Sequence, residues 1–143
     1  MKETSKMWWF VGGGVILVGL LLSWQSIFPP QNASASIVAR TGLHWHPQIE
    51  MYVRGEKYEI PANMGLAGVH KPIHTHEDLP LIHLEFSGLV EEQDIMLGEF
   101  FKNWGRDMRS FGENVRMTVN GVENTDLERY IMRDGDQIRI DYD

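Results

Sequence analysis

Cysteine is absent from the 143 residues of this chain. That absence excludes a disulfide-stabilised scaffold and a metal site built from thiolates. Basic side chains are scarce as well, 13 against 20 acidic ones, and the formal net charge is −7. They form no basic stripe, so the composition gives no support to nucleic-acid binding. The length allows one small domain.

Long hydrophobic runs are missing except near the N-terminus, where Met7–Leu22 is almost entirely apolar. The run is close to the roughly 20 residues that a membrane-spanning helix needs. Lys2 and Lys6 precede it, which predicts that the N-terminus stays in the cytoplasm. Ala33-Ser-Ala35 has the pattern of a signal-peptide cleavage site but lies far from the run. Tryptophans at both ends of the run favour an uncleaved anchor.

We therefore predict three segments along the chain. Residues 1–28 form a single-pass anchor in the cytoplasmic membrane, or a signal peptide, and the lipid bilayer is their partner. Residues 29–40, which begin with Pro29-Pro30, form a linker. Residues 41–143 form a histidine-rich domain that lies outside the cytoplasm.

The domain has the residue pattern of a small α+β fold. Alternating apolar side chains predict strands at residues 49–53, 58–60, 81–86, 115–119 and 137–142. An apolar stripe from Leu97 to Trp104 predicts one short helix, with Asp94 as a candidate N-cap and Gly105 as its C-terminal stop. Turn signals lie at residues 54–57, 120–121 and 134–135. We expect a single small mixed or antiparallel sheet with one short helix, preceded by the N-terminal transmembrane helix.

The C-terminal part carries a resemblance to a known fold. Val119-Asn-Gly-Val122 and Asp134-Gly-Asp-Gln-Ile-Arg-Ile140 resemble the end of β-grasp domains such as the sulfur-carrier proteins. The resemblance implies a β-grasp-like sheet. Sulfur carriers end in a Gly-Gly tail that serves thiocarboxylate chemistry, whereas this chain ends in Asp141-Tyr-Asp143. Their activity is therefore not implied.

Histidine is the residue type that points to chemistry, because all six histidines fall within forty consecutive residues. They are His44, His46, His70, His74, His76 and His83. Four of them form two His-x-His pairs, and residues two apart on a strand share one face of the sheet. Each pair can therefore present two imidazoles to one ion. We predict a metal site whose ligands are His44, His46, His74 and His76, followed by His83.

The remaining polar groups of this region are candidates for further ligands or for groups that lie near the ion. His70 follows a glycine-containing loop and is expected only near the ion. Nearby carboxylates are candidates either for ligands or for partners that orient an imidazole N–H, and they are Glu50, Glu77, Asp78 and Glu85. Imidazole ligands without thiolates, outside the cytoplasm, favour copper or zinc as the metal.

Three classes of function fit a histidine cluster of this kind. The first is a non-catalytic domain that binds a transition metal for metal handling or sensing. The second is a copper- or zinc-dependent metalloenzyme with an open coordination position, in which Glu77 or Glu85 acts as general base. The third is a structural or interaction domain of a membrane complex, in which the histidines form a hydrogen-bonded network without metal.

Four short motifs together carry a second resemblance. They are His44-Trp-His-Pro47, Ile60-Pro-Ala-Asn-Met-Gly65, His74-Thr-His-Glu77 and Ile82-His-Leu-Glu85. The segment from Leu43 to Trp104 thereby resembles a family of small, mostly membrane-anchored bacterial and archaeal histidine-rich proteins of uncharacterised function. The shared pattern is His-x-His-Pro, Ile-Pro-Ala-x-x-Gly, His-Thr-His-Asp/Glu and Ile-His-x-Glu. The resemblance implies an extracytoplasmic histidine-rich domain and brings no known activity with it.

Overall fold

Residues 36–143 are described by the structure, a computed structural model of the chain. The predicted anchor, residues 1–28, and the first part of the predicted linker, residues 29–35, lie outside this range. Within residues 36–143, no helix has both the length and the apolar character needed to cross a bilayer.

Ten short strands and one α-helix make up the described part of the chain, with three short 3-10 helices between them. The strands are β1 Ile37–Ala39, β2 Leu43–Trp45, β3 Gln48–Val53, β4 Glu56–Tyr58, β5 Ile73–His74, β6 His83–Phe86, β7 Val90–Glu91, β8 Val115–Val119, β9 Val122–Asn124 and β10 Gln137–Tyr142. The helix is α1 Leu97–Trp104, and the 3-10 helices are Glu92–Ile95, Met108–Phe111 and Leu127–Arg129. The end of the predicted linker is therefore a strand, β1.

The predicted α+β class is confirmed, but the prediction of a single sheet is wrong. Among residues 36–143 the strands form three sheets, in the orders β4-β3-β10-β8-β9, β2-β6-β5 and β1-β7. The five-stranded sheet is mixed, because β10 runs parallel to β3 and antiparallel to β8. Pro47 lies between β2 and β3, has no N–H to donate, and cannot continue a strand ladder. The chain therefore leaves one sheet at Trp45 and joins another at Gln48.

The turn of the β3-β4 hairpin begins at Arg54 as predicted but is shorter than predicted. It consists of two residues, Arg54-Gly55, and both have positive φ, 52° and 82°. Two consecutive residues at positive φ make the turn type that suits a two-residue hairpin. The return strand predicted at residues 58–60 therefore lies at Glu56–Tyr58.

Helix α1 forms the apolar stripe that its sequence predicts. Phe100 and Phe101 are buried, and Gly105 ends the helix in the left-handed conformation at φ 74°. The prediction of Asp94 as N-cap is wrong, because the helix begins at Leu97 and its N-cap is Met96. Asp94 lies in the preceding 3-10 helix, where its carboxylate accepts a hydrogen bond of 2.9 Å from the N–H of Glu91.

A buried carboxylate fixes the turn that precedes β10. Asp136 is 6% exposed and accepts three hydrogen bonds, from the Asn120 amide at 3.1 Å, the Tyr130 hydroxyl at 2.7 Å and the Arg133 backbone N–H at 2.7 Å. Burial, together with the hydrogen bond to this carboxylate, raises the pKa of Tyr130. The neighbouring Asp134 accepts a hydrogen bond of 2.8 Å from the backbone N–H of His46. The C-terminal turn thus contacts the histidine-rich segment.

Candidate metal centre

The three-stranded sheet β2-β6-β5 carries the core of the histidine cluster. Antiparallel pairing places His44 opposite Glu85 and His74 opposite His83. Directly opposed residues on neighbouring antiparallel strands have their Cβ atoms about 5 Å apart. The strand register therefore brings histidines from three separate stretches of sequence to one surface.

All six histidine rings form one continuous cluster. The ring centroids are separated by 4.7 Å for His44–His46, 4.8 Å for His46–His83, 4.6 Å for His76–His83, 5.4 Å for His74–His83, 4.9 Å for His74–His76 and 4.7 Å for His70–His74. His74 and His83 each contact three of the other five rings, and His83 links the first His-x-His pair to the second.

His74 is held as a neutral imidazole with a defined tautomer. Its side chain is buried, and its Nδ1 lies 3.0 Å from the carbonyl oxygen of Lys71. A carbonyl only accepts hydrogen bonds, so Nδ1 carries the proton and Nε2 carries a free lone pair. Burial lowers the pKa of His74, which keeps the ring neutral. Nε2 is buried and has no hydrogen-bond partner among residues 36–143.

His83 is oriented in the same way by a carboxylate. Its Nε2 lies 3.2 Å from each of the two oxygens of Asp78, and this contact lowers the pKa of the Asp78 carboxyl. The Nε2–H therefore donates to Asp78, and Nδ1 carries the lone pair. Nδ1 is also buried without a hydrogen-bond partner in the described part of the chain. A carboxylate on one ring nitrogen and a free lone pair on the other is the arrangement of a metal-ligating histidine.

A buried threonine fixes the backbone between the two histidines of the second His-x-His pair. The Thr75 hydroxyl donates to the carbonyl of Pro61 at 2.8 Å and accepts from the N–H of Met64 at 2.9 Å. The Thr75 N–H donates to the carbonyl of Met64 at 3.1 Å. Gly65 follows at φ 79°, and a Cβ there would lie only 3.2 Å from that of His74. The Pro61–Gly65 loop thus holds the backbone at Thr75 and packs against His74.

Two overlapping groups of side chains have ligand atoms close enough to share an ion. The inner group consists of His74, His76 and His83, and the outer group consists of His44, His46, His83 and Glu85. Within each group the ligand atoms all lie within 4.8 Å of one another. Two nitrogens at 2.0–2.1 Å from a tetrahedral ion are about 3.4 Å apart. Small side-chain rotations therefore suffice to close either group around an ion.

An open groove lies beside the cluster. Its volume is about 720 Å³, and its walls include His44, His70, His74 and Glu85. His44 Nε2 lies 3.1 Å from a Glu85 oxygen across this surface. The groove gives solvent and small molecules access to the outer group.

The structure brings the five histidines of the predicted ligand set into the two groups, and it divides them between an inner and an outer position. His70 lies in neither group and contacts His74 from the groove side. Of the four carboxylates, Glu85 belongs to the outer group and Asp78 orients His83, whereas Glu50 pairs with Lys57 at 2.7 Å. Glu77 is exposed and belongs to neither group.

Sequence reasoning missed three contacts that shape the site: the Thr75 hydroxyl, the Lys71 carbonyl and the Asp134 carboxylate. The first two lie on loops whose course no periodic pattern predicts. Asp134 reaches His46 across 88 residues of sequence.

No protein-family model, curated protein or solved structure matches the chain.

Proposed function

We propose that residues 36–143 form a transition-metal-binding domain in which His74, His76 and His83 hold the ion. One observation carries the proposal. Two buried ring nitrogens, Nε2 of His74 and Nδ1 of His83, have no hydrogen-bond partner in the described part, while the opposite nitrogen of each ring is engaged. A buried polar atom without a partner costs free energy unless a ligand satisfies it. A metal ion satisfies both lone pairs at once.

Copper or zinc is the metal that we assign to this site. The donors are imidazole nitrogens, which suit both ions, and a carboxylate oxygen stands beside them in the outer group. Thiolate chemistry is excluded because the chain has no cysteine. The function is metal handling or sensing by a domain that the N-terminal apolar segment anchors to the outer face of the cytoplasmic membrane.

A metalloenzyme is the second candidate, and the groove favours it. Three histidine ligands leave one coordination position for water, as in catalytic zinc sites. The groove is open to solvent, and its walls include His74 of the inner group and Glu85, whose carboxylate lies 3.8 Å from His83 Nδ1. In this candidate function Glu85 is the general base. Glu77, the other base considered, does not line the groove.

We also propose that the five-stranded sheet is β-grasp-like, as the C-terminal resemblance implies. The parallel neighbours β3 and β10 lie in its middle. On the outer sides, β3 pairs antiparallel with β4 and β10 pairs antiparallel with β8. From the four shared motifs, we also propose that the chain belongs to the family of small membrane-anchored histidine-rich proteins.

Titration of the full chain with Zn²⁺ and with Cu²⁺ tests the metal-binding function. The protein carries no histidine tag, and calorimetry compares wild type with His76→Ala and His70→Ala. We expect one ion per chain in wild type, affinity at least 100-fold lower in His76→Ala, and affinity within about threefold of wild type in His70→Ala. Both variants remove one imidazole from the same cluster, but only His76 belongs to a ligand group.

Absence of stoichiometric binding by wild type contradicts the proposal. Equal losses in the two variants also contradict it, because they indicate general attraction by a histidine-rich surface. A fold that is unchanged by a chelator, with no ion bound, assigns the cluster to a structural network instead.

A further inference from the structure

His83 belongs to both ligand groups, and the two groups differ in their access to solvent. In the outer group the side chain of His44 is 65% exposed and that of Glu85 is 39% exposed. In the inner group His74 is 1% exposed, and His83 itself is 12% exposed at its side chain. The exposed fraction therefore falls from His44 at the surface, through His83, to His74 in the interior.

Only one ion at a time can bind His83. Its Nε2 is held by both oxygens of Asp78, so Nδ1 is the single lone pair that it offers. An ion in the outer group and an ion in the inner group compete for this nitrogen. The two positions are therefore alternatives for one ion rather than the halves of a two-metal centre.

The two groups also differ in donor chemistry. The outer group includes the carboxylate of Glu85, an anionic donor at the edge of the open groove. A negatively charged, partly hydrated position attracts a cation from solution and raises its rate of association. The inner group offers three imidazoles and no carboxylate. An ion must lose more of its water there, and it gains the buried lone pair of His74.

We propose that the outer group is a second metal position that captures the ion from the groove and transfers it through His83 to the inner group. This inference rests on the metal-binding function proposed above. His83 keeps its bond to the ion, while His44, His46 and Glu85 are exchanged for His74 and His76. No bond of the protein is made or broken, and the charge of the ion does not change.

A position on the path of the ion has a kinetic signature that distinguishes it from a final ligand. Weakening the capture position slows binding and release by the same factor, because both pass through it, and the equilibrium affinity is unchanged. Loss of a final ligand instead raises the dissociation constant. If the ion is drawn only by general electrostatic attraction, removal of any nearby carboxylate lowers its association rate to a similar extent.

Stopped-flow binding of Cu²⁺ to the full chain tests this inference, with tryptophan fluorescence as the signal. Trp45 lies between His44 and His46 in the sequence, and we expect Cu²⁺ bound in the cluster to quench its fluorescence. The variants are Glu85→Gln and, as matched control, Glu77→Gln. Each removes one negative charge from an exposed glutamate, but Glu77 belongs to neither group.

We expect Glu85→Gln to lower the association and dissociation rates of Cu²⁺ by at least tenfold each, with the dissociation constant within twofold of wild type. Glu77→Gln should change neither rate by more than about twofold. Equal effects of the two variants, or two ions bound per wild-type chain, would overturn the transfer path and leave the metal-binding function intact. Absence of Cu²⁺ binding by wild type overturns the transfer path, and absence of Zn²⁺ binding as well overturns the metal-binding function.

Discussion

Replacement of Asp78 by asparagine tests whether His83 is oriented for a metal ion. Both Asp78 oxygens lie 3.2 Å from His83 Nε2, and they fix the ring proton on that nitrogen. Asparagine has nearly the same shape but offers one neutral acceptor oxygen and an NH₂ donor. In Asp78→Asn the ring is free to move its proton to Nδ1, the nitrogen that the ion requires. We therefore expect weaker metal binding without loss of the fold.

The size of the effect follows from the geometry. Removal of a partner that orients a ligating histidine typically costs 10- to 100-fold in metal affinity. The Asp78 side chain is 48% exposed, and its contacts are longer than the usual range for charge-assisted hydrogen bonds. We therefore expect the lower end, about tenfold.

Competition with a chromophoric chelator at neutral pH measures this change, and Glu77→Gln is the matched control. It removes the same charge one residue away, from a side chain in neither ligand group. An affinity of Asp78→Asn within twofold of Glu77→Gln would refute the assignment of Asp78 to the orientation of His83.

Three further predictions concern stability and the loop that holds the site. Asp136→Ala should lower the free energy of unfolding by at least about 3 kcal/mol in denaturant titrations, because three hydrogen bonds to a buried carboxylate are lost. The control Asp126→Ala, at the surface, should lower it by less than about 0.5 kcal/mol. Gly65→Ala and Gly68→Ala should both destabilise the fold by about 1–2 kcal/mol, since both have positive φ. Only Gly65→Ala should lower metal affinity, because its Cβ meets His74, and equal affinities would contradict this role. With a chelator present, the free energy of unfolding should fall below pH 6.5 by up to about 1.4 kcal/mol per pH unit. The reason is that His74 takes up a proton in the unfolded chain, whereas its buried ring in the folded protein has a lowered pKa. The same dependence of stability on pH in His74→Leu would contradict this.

Local patterns predicted much of the fold because they reflect burial on one face. The alternation in β3 and β10 and the stripe of α1 match the observed buried residues, and the structure ends the helix at Gly105 as expected. The division into three sheets was not predicted. It depends on Pro47, which separates β2 from β3, and on pairings between strands that are distant in sequence.

The spacing of the histidines predicted their proximity but not their arrangement. A His-x-His pair indicates that two rings lie near each other, and both pairs have ring centroids less than 5 Å apart, 4.7 Å and 4.9 Å. It carries no information on which pair is buried. The burial of the second pair depends on the Thr75 hydroxyl and on the backbone carbonyl of Lys71. Every residue has a backbone carbonyl, so the residue type at position 71 gives no sign of this contact. Tautomers likewise follow from tertiary contacts rather than from residue type.

Elemental analysis of the full chain, purified without a histidine tag and without added metal, tests the central claim most directly. The comparison is between wild type and the double variant His46→Ala/His76→Ala, which removes one ligand from the outer group and one from the inner group. We predict about one copper or zinc ion per wild-type chain and none in the double variant, with circular dichroism showing that both are folded. A folded wild-type protein without metal, or an equal metal content in the two proteins, would contradict the account.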